Sequence, residues 1–162
     1  MQKNAPLPSD FSLLKATLEQ ETALLRQFLV ILQNEYNALQ QTGQPQLLES
    51  NTLEKNQCIE NLNTCLQQRQ QLLNRLMPDQ PQLSSVVDKN EKLKADFQQI
   101  NQLAAKAQQQ NQINGALIQQ QLQQNQSAQQ FIASLTGQTT LYDAKGHKHP
   151  SRSSLNKTIK AG

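Results

Sequence analysis

From Phe11 to Leu135 apolar residues return at intervals of three and four, or seven where a turn is skipped, and two clusters of breakers interrupt them. Those intervals bracket the 3.6-residue turn of an α-helix, so each run has one face for a neighbour and one for water. In the first run the recurring positions are Phe11, Leu14, Leu18, Leu25, Phe28, Leu32, Tyr36 and Leu39, preceded by Ser9 and Asp10 as helix caps. Gly43 suits a left-handed C-terminal cap and Pro45 the first turn of the next helix, which together imply a tight hairpin.

The second run carries Leu48, Ile59, Leu62, Leu66, Leu73 and Leu76 and stops at Met77-Pro78. Pro78 and Pro81 disfavour helix in the residues before them. Asp79, Ser84 and Ser85 are candidate caps for the third helix, and Ser85 with Asp88 resembles a capping box. The third run is the longest: Val86, Leu93, Phe97, Ile100, Leu103, Ala107, Leu117, Ile118, Leu122, Ala128, Phe131, Ile132 and Leu135. The expected fold is all-α, an antiparallel three-helix bundle or coiled coil with helices at about 9–41, 45–77 and 82–136, in a domain spanning 1–136. Asn114-Gly115 is a weak point inside the third helix, because glycine costs about 1 kcal/mol relative to alanine in a helix interior. Beyond it Leu117, Ile118, Leu122, Phe131, Ile132 and Leu135 form a stripe among glutamines. Two readings stay open: the first two helices cover the stripe, or it is a docking surface for another helix.

Other chemistry is scarce. There are four phenylalanines, two tyrosines and no tryptophan, which favours leucine-packed helices over sheets. Glutamines interleaved with leucines at helical spacing read as solvated bundle faces rather than low-complexity sequence. Cys58 and Cys65 are seven apart, on one face and two turns from each other, too far for a disulfide, and read as small buried or half-buried residues. Glu19 and Glu21, near Lys15 and Arg26, read as solvated charge. No catalytic motif, metal cluster or phosphate-cradling loop is evident, so neither an enzyme nor a cofactor is expected. Without a long apolar run or an apolar leader in MQKNAPLPSD, the expected location is cytoplasmic.

The net charge of +3 is concentrated near the end, where Lys145, Lys148, Arg152, Lys157 and Lys160 face only Asp143. Residues 137–162 are expected to form a flexible basic tail. Ordering them would cost on the order of 1 to 2 kcal/mol per residue, while Leu141, Tyr142, Leu155 and Ile159 would each return only about 1.5 to 3 kcal/mol on burial. His147 and His149 read as solvated tail residues. Basic charge without interleaved aromatics is a weak signal for nucleic acid or an anionic membrane surface.

Three features together resemble the FlgN-type flagellar export chaperones: the hairpin containing CLQQRQQLL, the segment QQQNQINGALIQQQLQQNQ from Gln108 to Gln126, and TLYDAKG followed by a basic tail ending KTIKAG. The resemblance implies a cytoplasmic chaperone that binds helical C-terminal segments of hook-filament junction proteins, prevents their premature assembly and delivers them to the flagellar type III export gate. It places client binding on Leu117, Ile118, Leu122, Phe131, Ile132 and Leu135. It associates Tyr142, with Leu141 beside it, with the cytoplasmic domain of the export-gate protein. Relatives can carry Gly after this tyrosine; this chain has Asp143 and keeps the aromatic. The export ATPase complex and a weak homodimer are further candidate partners, and nucleic acid is not expected. The alternatives are a structural coiled-coil protein that self-associates through the same stripe, or a basic-tailed adaptor for nucleic acid or an anionic membrane surface.

Overall fold

A computed structural model of the protein describes residues 8–41 and 45–136. The fold is all-α, a helical bundle. The first helix, α1, is Pro8–Gln40, and the second, α2, is Pro45–Leu76. Each begins with a proline, whose fixed φ fits the first helical turn and whose missing N–H would have had no partner there. The expected third helix over 82–136 is instead three pieces: α3 (Leu83–Lys89), a 3-10 turn (Glu91–Leu93) and α4 (Lys94–Thr136). The break falls at Asn90, not at Asn114-Gly115. Asn90 is extended, with φ −142° and ψ 93°, and its Oδ1 accepts a hydrogen bond from the Lys92 backbone N–H, so it caps the 3-10 turn. The proposed capping box is absent too: α3 starts at Leu83, ahead of Ser85, with Gln82 at the N-cap making no side-chain capping bond. Burial of Leu83, Val86 and Val87 in the core accounts for that start, outweighing a local cap.

The chain divides into two compact units, residues 1–116 and 117–162. In the first, α1 and α2 form an antiparallel hairpin whose register is marked by two ion pairs. Lys55 holds Glu35 at 3.1 Å and Arg69 holds Glu21 at 2.6 Å. Moving fourteen residues back along α1 is matched by fourteen forward along α2, two heptads of an antiparallel seam. The core joins Leu14, Leu18 and Leu25 of α1 to Leu72, Leu73 and Leu76 of α2, Leu83, Val86 and Val87 of α3, Leu93, and Ile100 of α4. Phe11, Leu62, Met77, Phe97 and Leu103 pack around it.

The inner face of α2 keeps the expected Leu73 and Leu76 and differs from the expected one before them. Asn51, Cys58, Cys65 and Leu72, each seven apart, are buried, whereas Ile59 and Leu66 are exposed and Leu62 is half-buried. The cysteines are buried as expected. Their thiols donate to α1 carbonyls, Cys58 Sγ to Leu24 O at 3.6 Å and Cys65 Sγ to Thr17 O at 3.5 Å. Small thiol side chains at 58 and 65 let the two helices come close with their S–H groups paired, whereas Asn51 Nδ2 on the same line is buried without a hydrogen-bond partner among the described residues. Burial pushes both thiols above their ordinary pKa; at Cys65 the Glu21 carboxylate adds to this and Arg69 opposes it.

Candidate functional site

The second unit, as far as it is described, is the stretch of α4 from Leu117 to Thr136. Its sequence, LIQQQLQQNQSAQQFIASLT, contains no Asp, Glu, Lys, Arg or His. Glutamine, alanine and leucine are good helix formers, so the stretch is helical although it has no charged pairs along its faces. The expected client-binding residues lie here. Leu117 is half-buried, and Ile118, Leu122, Phe131, Ile132 and Leu135 are exposed, Leu135 by 70%.

These six residues form two groups along the helix. Leu117, Ile118 and Leu122 lie within two turns, as do Phe131, Ile132 and Leu135, and Gln, Asn, Ser and Ala occupy the interval. Ile118 and Ile132 are two heptads apart, so a facing helix with its own heptad seam could meet both. The nine-residue step from Leu122 to Phe131 separates the groups by about 13.5 Å along the axis. Such a surface can bury apolar side chains of a partner helix. Each large residue covered returns on the order of 1.5 to 3 kcal/mol before the cost of association. Uncharged neighbours avoid the desolvation penalty that charges would add. Leu141 and Tyr142 lie outside the described residues, as does the whole of 137–162.

The first unit holds two polar features that periodicity did not reveal. Glu21, expected to be solvated, is buried. Both its carboxylate oxygens accept from Arg69 Nη1 at 2.6 Å. The pair sits beside a groove of about 430 Å³ lined by Leu25 of α1, Ile59, Leu62 and Leu66 of α2, and Phe97 and Ile100 of α4. Glu35 is buried as well and accepts from Lys55 Nζ at 3.1 and 3.2 Å. A signal for both acids was present: Glu21 is seven residues after Leu14, and Glu35 seven after Phe28, which places them on the inward seam.

The second feature is Asn114, from the Asn-x-x-Asn-Gly segment. It is 1% exposed, and its Nδ2 donates to Leu32 O at 2.8 Å and to Glu35 Oε2 at 2.7 Å. Its Oδ1 accepts from Gln110 Nε2 at 3.0 Å. Gly115 next to it is exposed, and a Cβ placed there would meet nothing within 4 Å. Among the described residues no cluster of three His, Cys, Asp or Glu side chains could hold a metal ion, and no helix is long and apolar enough to cross a membrane.

Neither the curated proteins nor the solved structures contain a match to this chain. The model of one protein family, described as FlgN protein, matches residues 10–150. That range covers the hairpin, all of α4 and the Thr-Leu-Tyr segment, which are the regions whose residues pointed the same way. The chain belongs to the FlgN family of flagellar export chaperones.

Proposed function

We propose that this chaperone binds helical C-terminal segments of hook-filament junction proteins along the Leu117 to Leu135 face of α4. Covering those segments keeps them from assembling prematurely in the cytoplasm. The complex is then delivered to the type III export gate, where Leu141 and Tyr142 contact the cytoplasmic domain of the gate protein. The observation that carries this reading is a twenty-residue stretch of α4 without a charged side chain, whose large apolar residues apart from the half-buried Leu117 are exposed. An exposed apolar stripe is a liability to a protein alone and an asset to one that hides the matching face of a client. Placing a gate contact on the same chain raises the effective concentration of the client at the gate.

The test uses the full chain and a purified C-terminal segment of a hook-filament junction protein. Changing Leu122→Asp, Phe131→Asp and Ile132→Asp together puts three charges on the stripe and is expected to weaken binding by more than about a hundredfold. Unchanged affinity in calorimetry would sink the assignment of this face. Tyr142→Ala is expected to spare client binding and weaken capture by the gate protein's cytoplasmic domain; loss of client binding would instead merge the two sites. Sedimentation of the protein alone separates the alternative reading, since a tight oligomer that ignores the client segment would favour self-association through the stripe.

A further inference from the structure

Within the first unit, α4 is held to the hairpin in two different ways. From Lys94 to Leu103 the hold is apolar, with Ile100 buried in the core and Phe97 and Leu103 packed against it. From Ala104 to Ala116 only Ala107 and Asn114 are buried. Alanine contributes little area. The fixed point of this second stretch is therefore a polar side chain, with both Nδ2 hydrogens engaged on α1 and its oxygen engaged by Gln110. Its partner Glu35 is also the carboxylate that receives Lys55 from α2, so one buried acid connects α1, α2 and α4.

We propose that Asn114, Glu35 and Lys55 form a polar latch, which closes the Ala104–Ala116 stretch of α4 onto the hairpin and lets that stretch open while the core around Ile100 stays shut. The chemistry suits a reversible closure. Hydrogen bonds broken at the latch are replaced by bonds to water, so opening loses only their modest net contribution, whereas an apolar seam of the same length would expose leucines. Closure is still specific, because an amide with two donors fits only where two acceptors stand together. On α1 the Leu32 carbonyl and the Glu35 carboxylate meet that condition, one turn apart. Gly115 favours opening further, since glycine weakens the helix at the same place and its missing side chain is not needed for close packing within this unit.

The test is amide hydrogen exchange on the full chain under native conditions, with and without low urea. In the wild type, amides of residues 108–116 are expected to exchange about tenfold faster than those of 97–103, through an opening that low urea barely accelerates. Asn114→Ala is expected to speed 108–116 by about a further tenfold and leave 97–103 unchanged. The proposal is overturned if both segments of the wild type exchange together through one urea-sensitive unfolding step. It is equally overturned if the variant accelerates both segments by the same factor, the result of Asn114 supporting the fold as a whole. The wild-type arm decides the matter even if the variant does not fold.

Discussion

The two halves of α4 share a helical rhythm and differ in almost everything else. Lys94–Ala116 carries Lys94, Asp96 and Lys106, buries Ile100 and Ala107, and places Asn114 against two acceptors of α1. Leu117–Thr136 carries no charge and leaves Leu122, Phe131, Ile132 and Leu135 more than half exposed. The difference teaches that apolar periodicity shows where a helix has a face and not whether that face is occupied. Charge is the more telling contrast. The exposed Lys94 and Lys106 of the first half suit a helix whose inward side is packed, while the uncharged second half suits a surface that a partner can cover without desolvating ions.

The largest effect should come from a matched pair of truncations. Leu18→Ala, at a fully buried position, is expected to cost about 3 kcal/mol in urea unfolding, and Leu122→Ala less than about 0.5 kcal/mol. If both cost the same, the second half is covered in solution and the contrast between the halves fails. Next comes the buried ion pair. Arg69→Ala leaves Glu21 buried without its partner and is expected to cost about 2 kcal/mol, below the roughly 3 to 5 kcal/mol of fully buried pairs because the arginine side chain is 23% exposed. Pairing Glu21→Gln with Arg69→Met, which keeps the packing and removes the stranded charge, should recover most of that loss; failure to recover would mean that the charge-assisted hydrogen bonds themselves stabilise the hairpin. The smallest effect sharpens the boundary between the halves. Gly115→Ala should raise stability by about 1 kcal/mol, because the site is helical, exposed and sterically open. A simultaneous loss of client affinity would show that a partner backbone approaches α4 at this glycine.

Much of the fold was legible from local pattern. The hairpin followed from Pro45 and the rhythm on either side, with the expected cap at Gly43 lying outside the described residues, and the end of α2 followed from Pro78. The burial of Cys58 and Cys65 followed from their shared face. The misread positions have a common cause. Ile59 and Leu66 are apolar and exposed, whereas Asn51 is polar and buried, because α2 turns the 51-58-65-72 line toward α1 and buries the line richer in leucine and isoleucine only at Leu73 and Leu76. The small Cys58 and Cys65 on that line allow close approach, and the ion pairs of Glu35 with Lys55 and of Glu21 with Arg69 mark the register. Neither depends on hydrophobicity. The break at Asn90 was hidden for a similar reason: Val86, Leu93 and Ile100 keep a seven-residue spacing straight across it, so the apolar pattern is continuous where the backbone is not.

The candidate site divides along the same line. Its residues were legible as a stripe, since every helix writes its amphipathic face into the spacing of its own side chains. The motif segments carried the family. Whether the stripe was covered could not be read there, because burial depends on which surfaces meet across long sequence separations, and only the folded chain decides that. Asn114 shows this most clearly: in the sequence it marks a weak point beside glycine, and in the bundle, 79 residues from Glu35, its amide joins α4 to the hairpin. A hydrogen bond needs donor and acceptor at the same place, and no local pattern specifies where a distant acceptor will stand.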